Sequence, residues 1–284
     1  MSNKSRNALP GFGLTLGFTL FYLSAVVLIP LGGLVLRTLN ISFSDFWKFV
    51  WTERAIAAYK LSFGASLLAA AVNVVGGLLL AWVLSRYKFP FRRLMDGLVD
   101  LPFALPTAVG GLAIASIYAK NGWIGQFFAP GSRLGHYFGP TGLDLLYSRT
   151  GIVIALIFVS FPFVVRTVQP VLETMERDVE EAAATLGAGR LRTFWSVVLP
   201  PLIPSIVTGF TLAFARSLGE YGSIVFVSSH IQKKTEIAPM LIVERLDEYN
   251  YAGAISIAVF LMVASFACLG AINLVEALTR RFQR

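Results

Sequence analysis

Six long apolar stretches, separated by connections that hold most of the charge, limit this chain more than any other feature. They run over Leu14–Leu36, Leu61–Leu84, Leu101–Tyr118, Gly151–Val165, Leu202–Ser228 and Ala252–Leu274. Roughly 20 apolar residues in a helix cross a hydrocarbon core of about 30 Å, and most of the six are near that length. Inside lipid no water pairs with a free amide, so each stretch has to satisfy its own backbone as a helix. No alternating pattern of about ten residues recurs, which argues against a β-barrel. The fourth stretch is cut short by Arg166 and extends towards Val171 if that side chain snorkels to the interface. The expected fold is all-α: one polytopic bundle of six transmembrane helices over residues 1–284.

Composition supports this reading. Only 14% of the 284 residues are charged, against roughly 25% in a soluble domain. That is too few to cover a soluble sphere, and it excludes a disordered chain, a soluble coiled coil and an ordinary cytosolic enzyme. The net charge of +8 suits cytoplasmic loops and anionic lipid headgroups. No basic stripe with interleaved aromatics appears, so no nucleic-acid partner is expected. Cys268, the single cysteine, lies inside an apolar run and forms no disulfide framework. The first ten residues are short and polar, and no small-residue cleavage site follows the first apolar run. A retained helix is expected there, not a signal peptide.

Orientation follows from Lys and Arg in the connections. With both termini on the cytoplasmic side, 13 of the 24 cations fall inside and 10 outside, and Arg216 lies at membrane depth. The Arg86–Arg93 cluster, at a helix end, points the same way. On the outer side, Phe46, Phe49, Val50 and Ala55 recur at helical spacing, so Ser44–Tyr59 is expected to lie along the interface as an amphipathic helix. Gly122–Arg149, with its Gly, Pro, Trp and Tyr, reads as a loop carrying short pieces of structure.

The segment from Glu173 to Pro204 is the most informative. It opens with Glu173, Glu176, Asp178, Glu180 and Glu181, five of the chain's 16 acids. Glu181-Ala182-Ala183-Ala184-Thr185-Leu186-Gly187 follows, then a second helical stretch with Leu191, Phe194, Trp195 and Val198, then Leu199-Pro200-Pro201. The pattern predicts helix, glycine turn, helix and proline stop, a hairpin over 173–200. Small alanines permit close approach by another surface, and Gly187 permits the reversal. Such a hairpin is either a docking knob or an ordinary amphipathic connection.

Glu181-Ala182-Ala183, Gly187 and Leu199-Pro200 resemble the EAA loop of ABC-importer permeases, with Val197 where that pattern prefers isoleucine. Three further strings resemble the sulfate/thiosulfate permease family, nearest to its T-type branch. They are Asp100-Leu-Pro-Phe-Ala-Leu-Pro-Thr107, Ser160-Phe-Pro-Phe-Val-Val-Arg-Thr-Val-Gln-Pro-Val171 and Arg216-Ser-Leu-Gly-Glu-Tyr-Gly222. The resemblance spans the whole chain, including Lys233-Lys234-Thr-Glu236. It implies the permease subunit of a type I importer in the bacterial inner membrane, moving the anion by alternating access. It implies a second homologous permease subunit, two ATPase subunits on the cytoplasmic face and a periplasmic sulfate/thiosulfate-binding protein. The coupling positions carried over are Glu181, Ala182, Ala183, Gly187, Leu199 and Pro200. No cofactor is expected on this chain. It has no phosphate loop, so ATP and Mg belong to the partner. A molybdate or tungstate permease is the alternative within the class.

Charges at membrane depth cost roughly 2.5–3.5 kcal/mol on insertion scales and are functional suspects. Arg216 and Glu220 lie four residues apart within the fifth stretch. Arg216 offers a planar donor fork for an oxyanion, Ser217, Ser223 and Thr208 offer hydroxyls, and Gly219 and Gly222 permit the helix to open into an anion nest. The competing reading is a self-neutralising Arg216–Glu220 pair. Phe103, Pro106 and Thr107 are candidates for the path lining, or they form a plain proline-marked helix start. Asn73, beside Gly76 and Gly77, serves helix packing. His136 and His230 sit in different outer loops, so no metal site is expected. Neither a metalloprotease His-Glu-x-x-His nor a Gly-x-Ser-x-Gly is present, and an ion-driven carrier would need intramembrane carboxylates, of which Glu220 alone qualifies.

Overall fold

The computed structural model describes residues 12–132, 134–138 and 144–281. Lys4, Arg6, Arg133 and Arg284, used above for orientation, lie outside them. The described residues form helices, turns and loops, with no strand among them. In chain order the helices are α1 (Phe12–Thr38), α2 (Phe43–Val50), α3 (Glu53–Arg86), α4 (Arg92–Val99), α5 (Leu101–Ala104) and α6 (Thr107–Tyr118). They continue with α7 (Arg149–Thr174), α8 (Asp178–Thr185), α9 (Arg190–Leu218), α10 (Ile224–Val227), α11 (Ala238–Asp247) and α12 (Tyr251–Arg281).

Among the described residues five helices, α1, α3, α7, α9 and α12, are long and apolar enough to span a membrane. The third expected span is different. Leu101–Tyr118 is not one helix but the single turn α5, a break at Leu105–Pro106, and the 12-residue α6. Pro106 has no amide hydrogen to continue the ladder and holds the extended backbone that starts α6. The fifth span also ends earlier than expected. α9 ends at Leu218, residues Gly219–Ser223 leave the helix, and α10 resumes for one turn. The fourth span extends beyond Arg166 to Thr174, through Pro162 and Pro170.

Ser44–Tyr59 is two helices rather than one. α2 stops at Val50, and Thr52 caps α3, its hydroxyl accepting the Ala55 amide at 3.1 Å. The long loop before α7 carries the short 3₁₀ turns Gly125–Phe127 and Gly135–Phe138.

The core is built by α3, α7 and α9, with Leu84, Val164, Val168, Leu172, Leu202 and Phe214 closely packed. Gly77 of α3 lets Val164 of α7 approach to a distance that a methyl group would close to 2.8 Å. Beside it, buried Asn73 donates to the Ser160 hydroxyl at 2.8 Å and to the Ile157 carbonyl at 3.1 Å. Asn73 therefore joins α3 to α7, as its place beside the glycines implies. α1 exposes most of its apolar side chains and buries none.

Candidate functional site

Two places carry the chemistry: the hairpin at one end of the bundle and the junction of two helix breaks within it. At the hairpin, α8 holds Glu181, Ala182 and Ala183, with Asp178, Glu180 and Glu181 in its first turn, where the helix dipole favours acids. Gly187 follows with φ +80°, a left-handed conformation that costs a side-chain residue about 1–2 kcal/mol. The Gly187 amide bonds back to Ala184 and the Ala188 amide to Ala183, closing the turn.

The second arm differs from expectation. Leu199 and Pro200 do not end it. The chain passes from Arg190–Thr193 through a wide π turn, Phe194–Val198, directly into the rest of α9. Pro200 cannot donate to the ladder, and its ring would clash with the carbonyl one turn back. The wider turn just upstream accommodates both, so the helix continues. Leu199 and Pro200 are half-buried where the hairpin becomes a spanning helix.

The hairpin is tied to the end of α3. Arg86 pairs with Glu180 at 2.6 Å, donates to the Met175 carbonyl at 3.3 Å and lies 5.9 Å from the Trp82 ring. Arg177 donates to the Arg86 carbonyl at 3.2 Å. Trp82 packs edge-on against Phe194 at 5.7 Å. Between these groups opens a cleft of about 600 Å³, lined by Arg86, Glu181, Ala184, Ala188, Leu191 and Phe194 among others. Leu186, Leu191 and Trp195 are 88%, 76% and 61% exposed. These apolar side chains are presented on the same hairpin that carries the acids of α8.

At the second place the break before α6 meets the break after α9. A methyl group on Gly222 would come 2.3 Å from the Thr107 hydroxyl, and one on Gly111 would come 2.3 Å from the Ser223 carbonyl. Only glycines allow this contact. Glu220 is buried, and its Oε1 accepts the Ser223 amide at 2.9 Å and the Ser223 hydroxyl at 3.0 Å. Its Oε2 pairs with Arg216 at 2.7 Å. The pair therefore forms, but across the end of α9 rather than along one helical face. Ser217 is also buried, and its hydroxyl has no hydrogen-bond partner. Thr208 is turned back onto the Pro204 carbonyl at 2.9 Å. Pro106 is the N-cap of α6, and Phe103 packs edge-on against Phe163 at 5.0 Å.

Two side-chain networks escaped sequence reasoning. Arg166 does not snorkel. It clamps the corner between α4 and α5, reaching Asp100 with two bonds of 2.8 and 2.6 Å, Asp96 Oδ1 at 2.7 Å and the Asp96 carbonyl at 2.8 Å. Burial pushes the Asp96 carboxyl up, but hydrogen bonding and attraction from Arg166 outweigh it and hold the group below its ordinary value. At the opposite end of the bundle, Arg54 of α3 binds Glu236 through bonds of 2.8 and 2.5 Å and shares Nη2 with Glu244 of α11. Burial raises the Glu236 carboxyl, while the Arg54 bond lowers that of Glu244. Among the described residues no cluster of three or more His, Cys, Asp or Glu could hold a metal ion.

Spanning helices, two interior helix breaks and a projecting acidic hairpin define an all-helical membrane transport component. The chain belongs to the family described as binding-protein-dependent transport system inner membrane components, whose model matches residues 73–283. It is 45% identical over 274 residues to the sulfate transport system permease protein CysT of Salmonella typhimurium, covering 96% of this chain and 95% of that one. It is 44% identical to the protein of the same name from Synechocystis, covering 93% and 89%. In fold it is similar to a bacterial ABC transporter involved in alginate import, with a TM-score of 0.75 at 17% identity over 95% of both chains. A chain of the MetNI methionine ABC transporter superposes with a TM-score of 0.57 at 15% identity, covering 84% of this chain and 99% of that one. The chain is thus a multi-pass inner-membrane transport subunit and not an enzyme.

Proposed function

We propose that this chain is the permease subunit of an ATP-driven importer of sulfate and thiosulfate. The observation that carries the substrate is the identity of 43–45%, over nearly the full length, to sulfate transport permeases. The termini lie on the cytoplasmic side, as the distribution of Lys and Arg favours, and so does the hairpin. A second homologous permease completes the path. Two ATPase subunits dock on the hairpins, and a periplasmic binding protein delivers the anion. The alginate neighbour supports this arrangement by analogy, since it was solved with a substrate-bound periplasmic protein.

In this mechanism ATP and Mg act in the partner ATPase. Glu181, Ala182, Ala183 and Gly187 meet its groove, and Leu186, Leu191 and Trp195 supply the apolar contact. Leu199 and Pro200 join the hairpin arm of α9 to its spanning part, so a push on α8 is delivered along α9 to the break at Gly219–Ser223. There Gly222 and Ser223, in the break that follows Arg216 and Ser217 and holds Glu220, meet Thr107 and Gly111 of the segment that carries Phe103 and Pro106, and relative movement of the two breaks alternates access. The test is uptake of labelled sulfate by cells with and without this chain, with molybdate as competitor. Uptake that needs the chain and is not displaced by equimolar molybdate supports the reading. Sulfate uptake that persists undiminished without it, in cells lacking a duplicate permease, overturns the reading.

A further inference from the structure

Glu220 presents a problem for an anion carrier, because a buried carboxylate stands at the helix break that the proposed mechanism moves. Its partners resolve the problem. They are a guanidinium, a backbone amide and a hydroxyl, all donors: Arg216 Nη1 at 2.7 Å, the Ser223 N–H at 2.9 Å and Ser223 Oγ at 3.0 Å. This is the donor set that binds a tetrahedral oxyanion. Glu220 is 2% exposed, whereas Arg216 is 34% exposed and pairs with no other side chain among the described residues. Arg216 meets the buried acid through Nη1, and about a third of its side chain stays accessible. In the same turn, the buried Ser217 hydroxyl has no partner. Two carboxylate oxygens leave that donor unused, and a four-oxygen anion has acceptors to spare.

We propose that Arg216, Ser223 and Ser217 form a transient oxyanion site, and that the Glu220 carboxylate fills it as an internal competitor when no anion is present. The inference rests on the oxyanion-importer reading and deepens it. The arriving dianion takes the Ser223 donors together with Arg216, and Glu220 moves aside because the carboxylate cannot keep the same Ser223 donors and repels the dianion at that range. When the anion leaves, the carboxylate returns. Return restores the bonds that order the Gly219–Ser223 break, and those bonds seat Gly222 and Ser223 against α6. Occupancy by Glu220 thereby keeps the empty path shut and prevents tight trapping of the cargo.

The test is equilibrium binding of labelled sulfate to the purified complex of this chain with its partner subunits, in detergent and without the binding protein. Glu220→Gln keeps the shape but no longer competes as an anion. We expect it to bind sulfate at least tenfold more tightly than wild type, with a lower maximal rate of ATP-driven uptake in proteoliposomes. Adding Arg216→Gln to it should abolish the gain. If the Gln variant does not assemble, Glu220→Asp withdraws the carboxylate by one methylene, and tightening of several-fold is expected. Sulfate binding equal to or weaker than wild type in the assembled variant, whatever its thermal stability, overturns the inference, because a purely structural strap predicts that result. Wild-type vesicles that import no sulfate overturn the substrate reading itself.

Discussion

Arg166→Gln isolates the clamp that holds the broken third span. α5 is one turn of four residues with a proline at its second position, too short to stand on its own. Its corner is fixed instead by Arg166, through a bidentate grip on Asp100 and two bonds to Asp96. Bonds to charged groups are worth about 1.5–3 kcal/mol each. Here the side chains are partly exposed, at 31% for Arg166, 40% for Asp96 and 49% for Asp100, so water competes. Counting the Asp100 fork and the Asp96 contacts as two units at the low end gives a loss of about 3 kcal/mol in local stability. That corresponds to roughly a hundredfold more frequent opening. The assay is hydrogen exchange of the whole chain in nanodiscs. The amides of Phe103, Ala104 and Leu105, which bond to Asp100 and Leu101, should lose about two decades of protection. Helix α12 should be unchanged. Protection at residues 103–105 equal to wild type would refute the clamp.

Gly111→Ala should abolish uptake, because its methyl meets the Ser223 carbonyl at 2.3 Å, whereas Gly219→Ala, whose methyl finds nothing nearer than 4.0 Å, should transport normally. Gly187→Val places a β-branched residue at φ +80°; ATPase co-purification should fall severalfold while membrane insertion is unaffected. Arg216→Lys keeps the charge but loses the planar fork, so uptake should drop by about tenfold or more. Thermal stability should rise as pH falls from neutral towards the ordinary glutamate range. The reason is that burial lifts the folded-state value of Glu236, so the folded protein binds that proton first, and stability increases as pH drops through it. Glu236→Gln should remove that rise, and Glu244, held low by Arg54, should then dominate as a loss at more acid pH.

The parts legible in the sequence are those with local causes. The long helices follow from unbroken apolar runs, the hairpin turn from Gly187 and its alanines, and the close approach after α9 from Gly222. Proline proved less decisive. Pro106 ends a helix, while Pro162, Pro170 and Pro200 are absorbed into α7 and α9. The difference lies in the turn before the proline: a wide π turn precedes Pro200, whereas Leu105 and Pro106 take extended backbone and the ladder stops there. The clamp and the Arg54 cluster were not legible, because their partners lie 66 to 190 residues apart. No periodicity links positions so distant.

The few charges of this chain share a structural logic. A helix that stops inside or beside a membrane leaves carbonyls and amides that water cannot reach. At several such ends a charged side chain supplies the missing partner. Arg166 donates to the Asp96 carbonyl near the end of α4, Arg86 to the Met175 carbonyl after α7, and Arg177 to the Arg86 carbonyl that ends α3. Arg149 donates to the Lys234 carbonyl in the loop before α11. At the Gly219–Ser223 break the polarity is reversed: the orphan is an N–H, and Glu220 accepts it. A carrier has to bend at helix breaks, and backbone hydrogen bonds cannot both hold a break and release it. Side-chain ions can, because they exchange one partner for another without unwinding a helix. An anion competes with Glu220 for its donors, so the reversed pair is where cargo can exert force on the fold.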